Sequence, residues 1–169
     1  MELLWYIIAA LVYPLLSMFE NVSWYGKLFV QKSPGEVKRS LLKVFFMFAA
    51  VIAAAWGLFD DPNTAAAAIL MWGVGDAAAA LVGIPLGRHK VNFRPVNGRK
   101  SWEGSGAMFA ASAIVGIVIL CLCSGSFNGT SVLCALAMAL AGTVTELLTS
   151  SEWDTVTVPV TMLAVALIL

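Results

Sequence analysis

The sequence predicts an all-α protein: a polytopic bundle of about six membrane-crossing helices, with the amino terminus outside. Three observations lead there. Of 169 residues, 60% are hydrophobic and only 12% charged, with a mean hydropathy of +0.89, far from the balance of a water-soluble domain. The apolar residues gather into six stretches joined by short polar connections, and the cations sit in alternate connections only. The chain is too short for two ordinary domains, so residues 1–169 form one transmembrane unit. A formal net charge of zero gives no reason to expect a nucleic-acid partner.

The first apolar stretch covers about residues 3–19. A secretory signal is disfavoured there, because Glu2 stands in place of a basic start and Glu20-Asn21 in place of a small-residue cleavage site. A polar connection over 20–40 contains Trp24-Tyr25, aromatics suited to the headgroup region. Further apolar stretches follow at about 41–58, 65–86, 105–123, 131–149 and 156–169. A bilayer core about 30 Å thick needs about 20 helical residues, a length the first and last stretches only approach.

Lys27, Lys32, Lys38, Arg39 and Lys43 fall in or beside the first connection, and Arg88, Lys90, Arg94, Arg99 and Lys100 in the third. The second connection, "DDPN", has no cation, and the fourth, "SGSFNGTS", has no charge. The positive-inside rule therefore places odd-numbered connections in the cytoplasm. By parity the fifth, "SSEWDT", joins them, so an acidic connection faces a basic one. Cys121, Cys123 and Cys134 are odd in number and lack a completing ligand set, which reads as reduced thiols rather than a zinc site. His89, the single histidine, has no partner identifiable from sequence and reads as an ordinary connection residue.

Three pieces carry chemistry. Asp76, in "WGVGDAAAALVG", lies inside an apolar stretch, where a carboxylate is costly unless it meets a cavity, a metal or a cation. Gly73 and Gly75 before it weaken the helix, as in discontinuous membrane helices; Asp76 is alternatively the N-cap of a helix that starts after it. "NGRKSWEGSGAMF" brings Arg99, Lys100, Ser101 and Gly104 to the start of the fourth helix, a phosphate cradle of cations, small residues and backbone amides. "TELLTSSEWDTVTVP" contributes Glu146 and Asp154. Carboxylates opposite cations, with an intramembrane aspartate between them, have the composition of a magnesium–phosphate site.

In this order, "GDAAAALVGIPLGRHKV", "NGRKSWEGSGAMF" and "ELLTSSEWDTVTVP" resemble the dolichol kinase and phytol kinase family of polyisoprenoid-alcohol kinases, distant relatives of the phosphatidate cytidylyltransferases. The resemblance covers about residues 70–160. It implies transfer of the terminal phosphate of a nucleoside triphosphate, usually CTP, to a membrane lipid alcohol of the dolichol or phytol kind; Mg2+ is the metal expected from the carboxylates. By the same resemblance Asp76 matches the acid of a Gly-Asp motif, Lys100 and Gly104 a Lys-Ser-x-x-Gly element, and Glu146 with Asp154 a late acidic pair. Many members carry asparagine where this chain has Thr155.

The expected roles are Asp76 and Asp154 on magnesium, and Arg99, Lys100, Ser101 and Gly104 at the phosphates. Glu146 is expected either to aid the metal or to take the hydroxyl proton. Such a protein works as a multi-pass protein of a prokaryotic plasma membrane or a eukaryotic endoplasmic reticulum. The competing readings are a CTP-dependent lipid cytidylyltransferase, using the same groups, and a small transporter in which Asp76 couples ion movement.

Overall fold

Four helices follow from where apolar runs end and side-chain caps become available. The computed structural model describes residues 62–92, 100–149 and 153–169, together with helical positions 46, 47, 49–51, 53, 54 and 57. The expected span at 3–19 lies outside the described residues, as does most of the one at 41–58. The other four expected stretches are helical: α1 Pro62–Leu86, α2 Trp102–Cys123, α3 Gly129–Leu148 and α4 Asp154–Ile168.

Pro62 opens α1, where a missing N–H costs no helical bond. Ser101 caps α2, its hydroxyl accepting from the Gly104 N–H at 3.2 Å. Asn128 caps α3, its side-chain oxygen accepting from the Ser131 N–H at 2.7 Å. These polar caps explain why α2 and α3 begin two or three residues before their apolar stretches: a cap and a polar first turn add helix that hydropathy alone does not register.

The first three helices are long and apolar enough to cross a membrane, whereas α4, with 15 residues, is shorter. Large apolar side chains such as Leu81, Ile84, Ile114, Leu122 and Leu140 project outward, the inverse of a water-soluble surface and suited to lipid. Trp102 and Trp153 are also exposed, each beside the start of a helix at the same end of the bundle, as interfacial tryptophans are.

Consecutive helices run antiparallel, and α4 returns against α1, so the four close into a ring. Each contributes one fully buried methionine to the centre: Met71, Met108, Met138 and Met162. Met47 and Val51, on the expected second span, are buried in the same core. In lipid the drive for helix association is close packing and interhelical hydrogen bonding rather than escape from water. The contact between α1 and α2 shows both, since Ser112 donates to the Met71 carbonyl at 2.8 Å and Gly75 lets α1 approach the side chains of Ser112 and Met108.

One expectation is corrected. Helix α1 runs unbroken through Gly73 and Gly75, so Asp76 is mid-helix rather than an N-cap or the lip of a helix break. Gly75 serves helix approach, because α2 covers its face and holds the backbone helical. Replacing Gly75 with leucine should overpack this contact and destabilise the protein by about 1–3 kcal/mol. Gly73→Ala, which meets open space, should stay within about 1 kcal/mol of the parent; thermal denaturation in detergent compares the two.

Candidate functional site

The connection from α1 to α2 is basic and polar, so it must satisfy its own backbone where the helices end. It does so by pairing its two ends. Lys90 and Ser101 form an antiparallel bridge, with Val91 N–H donating to Lys100 C=O at 2.9 Å and Trp102 N–H donating to His89 C=O at 3.0 Å. Glu103 in the first turn of α2 reinforces it. Its carboxylate accepts from the His89 backbone N–H at 3.1 Å and lies 2.6 Å from His89 Nδ1. His89 therefore has a partner, contrary to the sequence expectation. The two residues are 14 apart and meet only because the bridge folds the connection back.

This bridge sets Lys100 at the entrance of α2 with its side chain directed into the bundle. The Lys100 ammonium reaches Glu146 Oε1 at 2.8 Å and Asp154 Oδ2 at 3.7 Å, and also donates to the Glu146 carbonyl. All three side chains are largely buried, at 11%, 10% and 17% exposed. A charge so placed is tolerable only with its counter-charge. Glu146 occupies the last turn of α3, and Asp154 opens α4, where the helix dipole favours a carboxylate. Thr155, at the position many of the resembled kinases fill with asparagine, places its hydroxyl 3.5 Å from Asp154 Oδ1.

A pocket of about 440 Å³ opens at this end of the bundle. Of the sequence-expected residues, Asp76, Lys100, Ser101, Gly104, Glu146 and Asp154 all line it. Arg99 lies outside the described residues. The pocket thus joins cations on its α1–α2 connection side to carboxylates from α1, α3 and α4. Lys90 also lines it, a residue the sequence reading counted among the basic residues without giving it a role. The alternation of a bridge, which puts Lys90 beside the N-cap Ser101, is the signal that could have found it.

The structure gives two expected phosphate-cradle residues additional tasks. The Ser101 hydroxyl holds the Gly104 N–H, so that amide is occupied by the cap. Gly104 itself sits against Gly83 and the Ala79 carbonyl, a backbone approach that forms the pocket floor between α1 and α2. Glu146 Oε2 is buried with no hydrogen-bond partner, although its other oxygen is paired. Among the described residues no group of three His, Cys, Asp or Glu side chains is drawn close enough to form a metal cage by itself. Cys121, Cys123 and Cys134 are not joined in a disulfide among the described residues.

Comparison with known proteins follows the motif reading. The chain is 35% identical over 158 residues to the phytol kinase of Synechocystis sp., an alignment covering 90% of this chain and 59% of that protein. The chain thus spans about three-fifths of the length of the curated relative it matches. This similarity supports the relation to polyprenol and phytol kinases that the three motifs suggested. No protein-family model matches the chain, and no solved structure does.

The Lys100–Glu146 pair gives a stability test. Lys100→Met keeps the apolar stem but leaves two buried carboxylates without their cation, and should cost about 3 kcal/mol. The double variant Lys100→Met, Glu146→Gln should recover part of that loss. Chemical or thermal denaturation of the parent, the single variants and the double variant closes the cycle.

Proposed function

We propose that this chain is a lipid-alcohol kinase that transfers the γ-phosphate of a nucleoside triphosphate, CTP by preference, to a membrane polyisoprenoid alcohol at the cytoplasmic face. One observation carries the reading. Lys90 and Lys100 meet Asp76, Glu146 and Asp154 in one pocket at the end of helices apolar enough to lie in a bilayer. A soluble nucleotide and an oil-soluble alcohol can react only where an aqueous anion site and the bilayer adjoin. The similarity to a phytol kinase supports the same chemistry.

The donor side of the pocket is the α1–α2 connection. Lys90 and Lys100 supply positive charge for the phosphates, with Ser101 and Gly104 shaping the floor beneath them; Arg99, outside the described residues, is assigned there from its motif alone. The carboxylates suit magnesium, a hard cation that takes oxygen ligands, and the unpartnered buried Oε2 of Glu146 is an oxygen still open to a cation or a proton. Asp76 and Asp154 would hold the metal. Few protein ligands and no complete protein cage is the usual arrangement for magnesium, which keeps waters and binds substrate phosphates. When bound, the ion supplies charge to offset the polyphosphate during transfer.

The remaining steps belong to the chain. Lys100, tethered by Glu146 and Asp154, presents a fixed cation and avoids the cost of ordering a flexible side chain during reaction. Glu146 accepts the proton of the acceptor hydroxyl as the alcohol oxygen bonds to the γ-phosphorus. The bond from that phosphorus to the bridging oxygen breaks, and the nucleoside diphosphate departs.

Purified protein given γ-labelled CTP and a long-chain prenol should move the label to lipid, while α-labelled CTP should leave the lipid unlabelled. Transfer of the α label would instead indicate cytidylyl transfer. Asp76→Asn should lower kcat/KM by at least about 100-fold, the scale for losing one preorganised charge-stabilising group, with thermal stability retained. Undiminished turnover would remove Asp76 from the reaction.

A further inference from the structure

A hydroxyl on a membrane helix normally bonds a carbonyl one turn back or one on a neighbouring helix. Four buried or half-buried hydroxyls here do. Thr161 donates to Thr157 C=O at 2.8 Å, Thr157 to Trp153 C=O at 3.0 Å, Ser105 to Ser101 C=O at 3.2 Å and Ser112 to Met71 C=O at 2.8 Å. Thr143 does not. Its Oγ1 is buried and without any hydrogen-bond partner, as is Glu146 Oε2. The residues are only 7% and 8% exposed. Three positions apart on α3, they lie on the same inward face, their β-carbons about 5–6 Å apart by helix geometry.

Two adjacent orphaned polar atoms inside a bundle call for a ligand, because buried polar groups in native proteins are almost always partnered. Their valences specify it. An ionised carboxylate only accepts, whereas a threonine hydroxyl can donate. A single hydroxyl fits between them, giving its hydrogen to Glu146 and taking one from Thr143. Position narrows the choice further. Thr143 lies about 4.5 Å farther from the Leu148 end of α3 than Glu146, three residues at 1.5 Å each. It is thus on the bilayer side of Glu146, opposite Lys90, Lys100 and Ser101 on the connection side. A hydroxyl carried on an apolar tail approaches from that side.

We infer that Thr143 and Glu146 form the seat for the acceptor alcohol, with Thr143 fixing the hydroxyl oxygen while Glu146 takes its proton. The inference rests on the kinase reading for its substrate class. During transfer Thr143 keeps its own proton. The alcohol oxygen forms its bond to the γ-phosphorus, the bridging P–O bond breaks, and the alcohol proton passes to Glu146. Thr143 is accordingly a determinant of acceptor affinity, and it discriminates an alcohol from a hydrocarbon of the same length.

The test uses the full chain in detergent with a long-chain prenol, the hydrocarbon of equal length, and the variants Thr143→Val and Thr143→Ser. Thr143→Val should raise the KM for the prenol about tenfold, in line with loss of one hydrogen bond, and leave the KM for the nucleotide unchanged. Thr143→Ser should restore the parent value. Direct binding, read by tryptophan fluorescence, should favour the prenol over the hydrocarbon in the parent and show no preference in Thr143→Val; Thr143→Ala gives the same comparison if valine folds poorly. Loss of that preference in a protein that transfers no phosphate would sink the kinase reading and leave the alcohol seat standing. An unchanged prenol KM and an unchanged preference would overturn the inference and assign the two atoms to a bound water. A parent protein showing neither transfer nor preference would overturn both.

Discussion

The Lys100 ammonium, held between Glu146 and Asp154, is the contact on which the rest of this site depends. Three charged groups are almost withdrawn from water at one end of an apolar bundle. Each would be prohibitively costly alone in such surroundings, and together they are tolerable because every charge faces an opposite one. The pair also ties three elements. Lys100 belongs to the entrance of α2, Glu146 to the end of α3 and Asp154 to the start of α4, so one ammonium fixes how these helix ends meet.

That constraint explains the division of the pocket. The α1–α2 connection turns back on itself through the Lys90–Ser101 bridge, braced by Glu103 on His89, and carries its cations to one wall. Asp76 within α1, Glu146 at the end of α3 and Asp154 at the start of α4 bring their carboxylates to the other. Small residues let the walls approach: Gly104 against Gly83 and Ala79 closes the floor, and Gly75 with Ser112 holds α1 against α2 a few turns deeper. The result is a polar pocket with cations on its connection side and, at Glu146, an unpartnered carboxylate oxygen, with the unpartnered Thr143 hydroxyl three residues earlier on the same helix. Such polarity along one axis is what a reaction between a charged soluble donor and an amphiphilic acceptor requires.

Much of this was legible in the sequence. The helices fell where the apolar stretches did, except that each begins two or three residues earlier, at α2 and α3 with a side-chain cap from Ser101 and Asn128. The order of the acid at Asp76, the Lys100–Gly104 element and the late pair Glu146 and Asp154 led to the pocket-lining set. Less legible were the pairings. His89 lacked a visible partner because Glu103 reaches it only after the connection folds back. Lys90 had no apparent role because its place beside Ser101 depends on a two-residue bridge. Asp76 suggested a helix break, since glycines lower local helix propensity, yet packing against α2 keeps α1 continuous.

By itself the sequence determined the kind of surroundings this chain occupies and where its scarce charges could go. A charge in the middle of an apolar helix is expensive, so in the described helices all charges but Asp76 sit in a first or last turn. Only the tertiary structure decided which atoms meet. Side chains rotate about 100° around a helix for each residue, so whether Glu146 faces Lys100, or Thr143 faces the interior, depends on the angle at which α3 lies against its neighbours. That angle comes from glycine and methionine contacts between helices, which no local stretch of sequence contains.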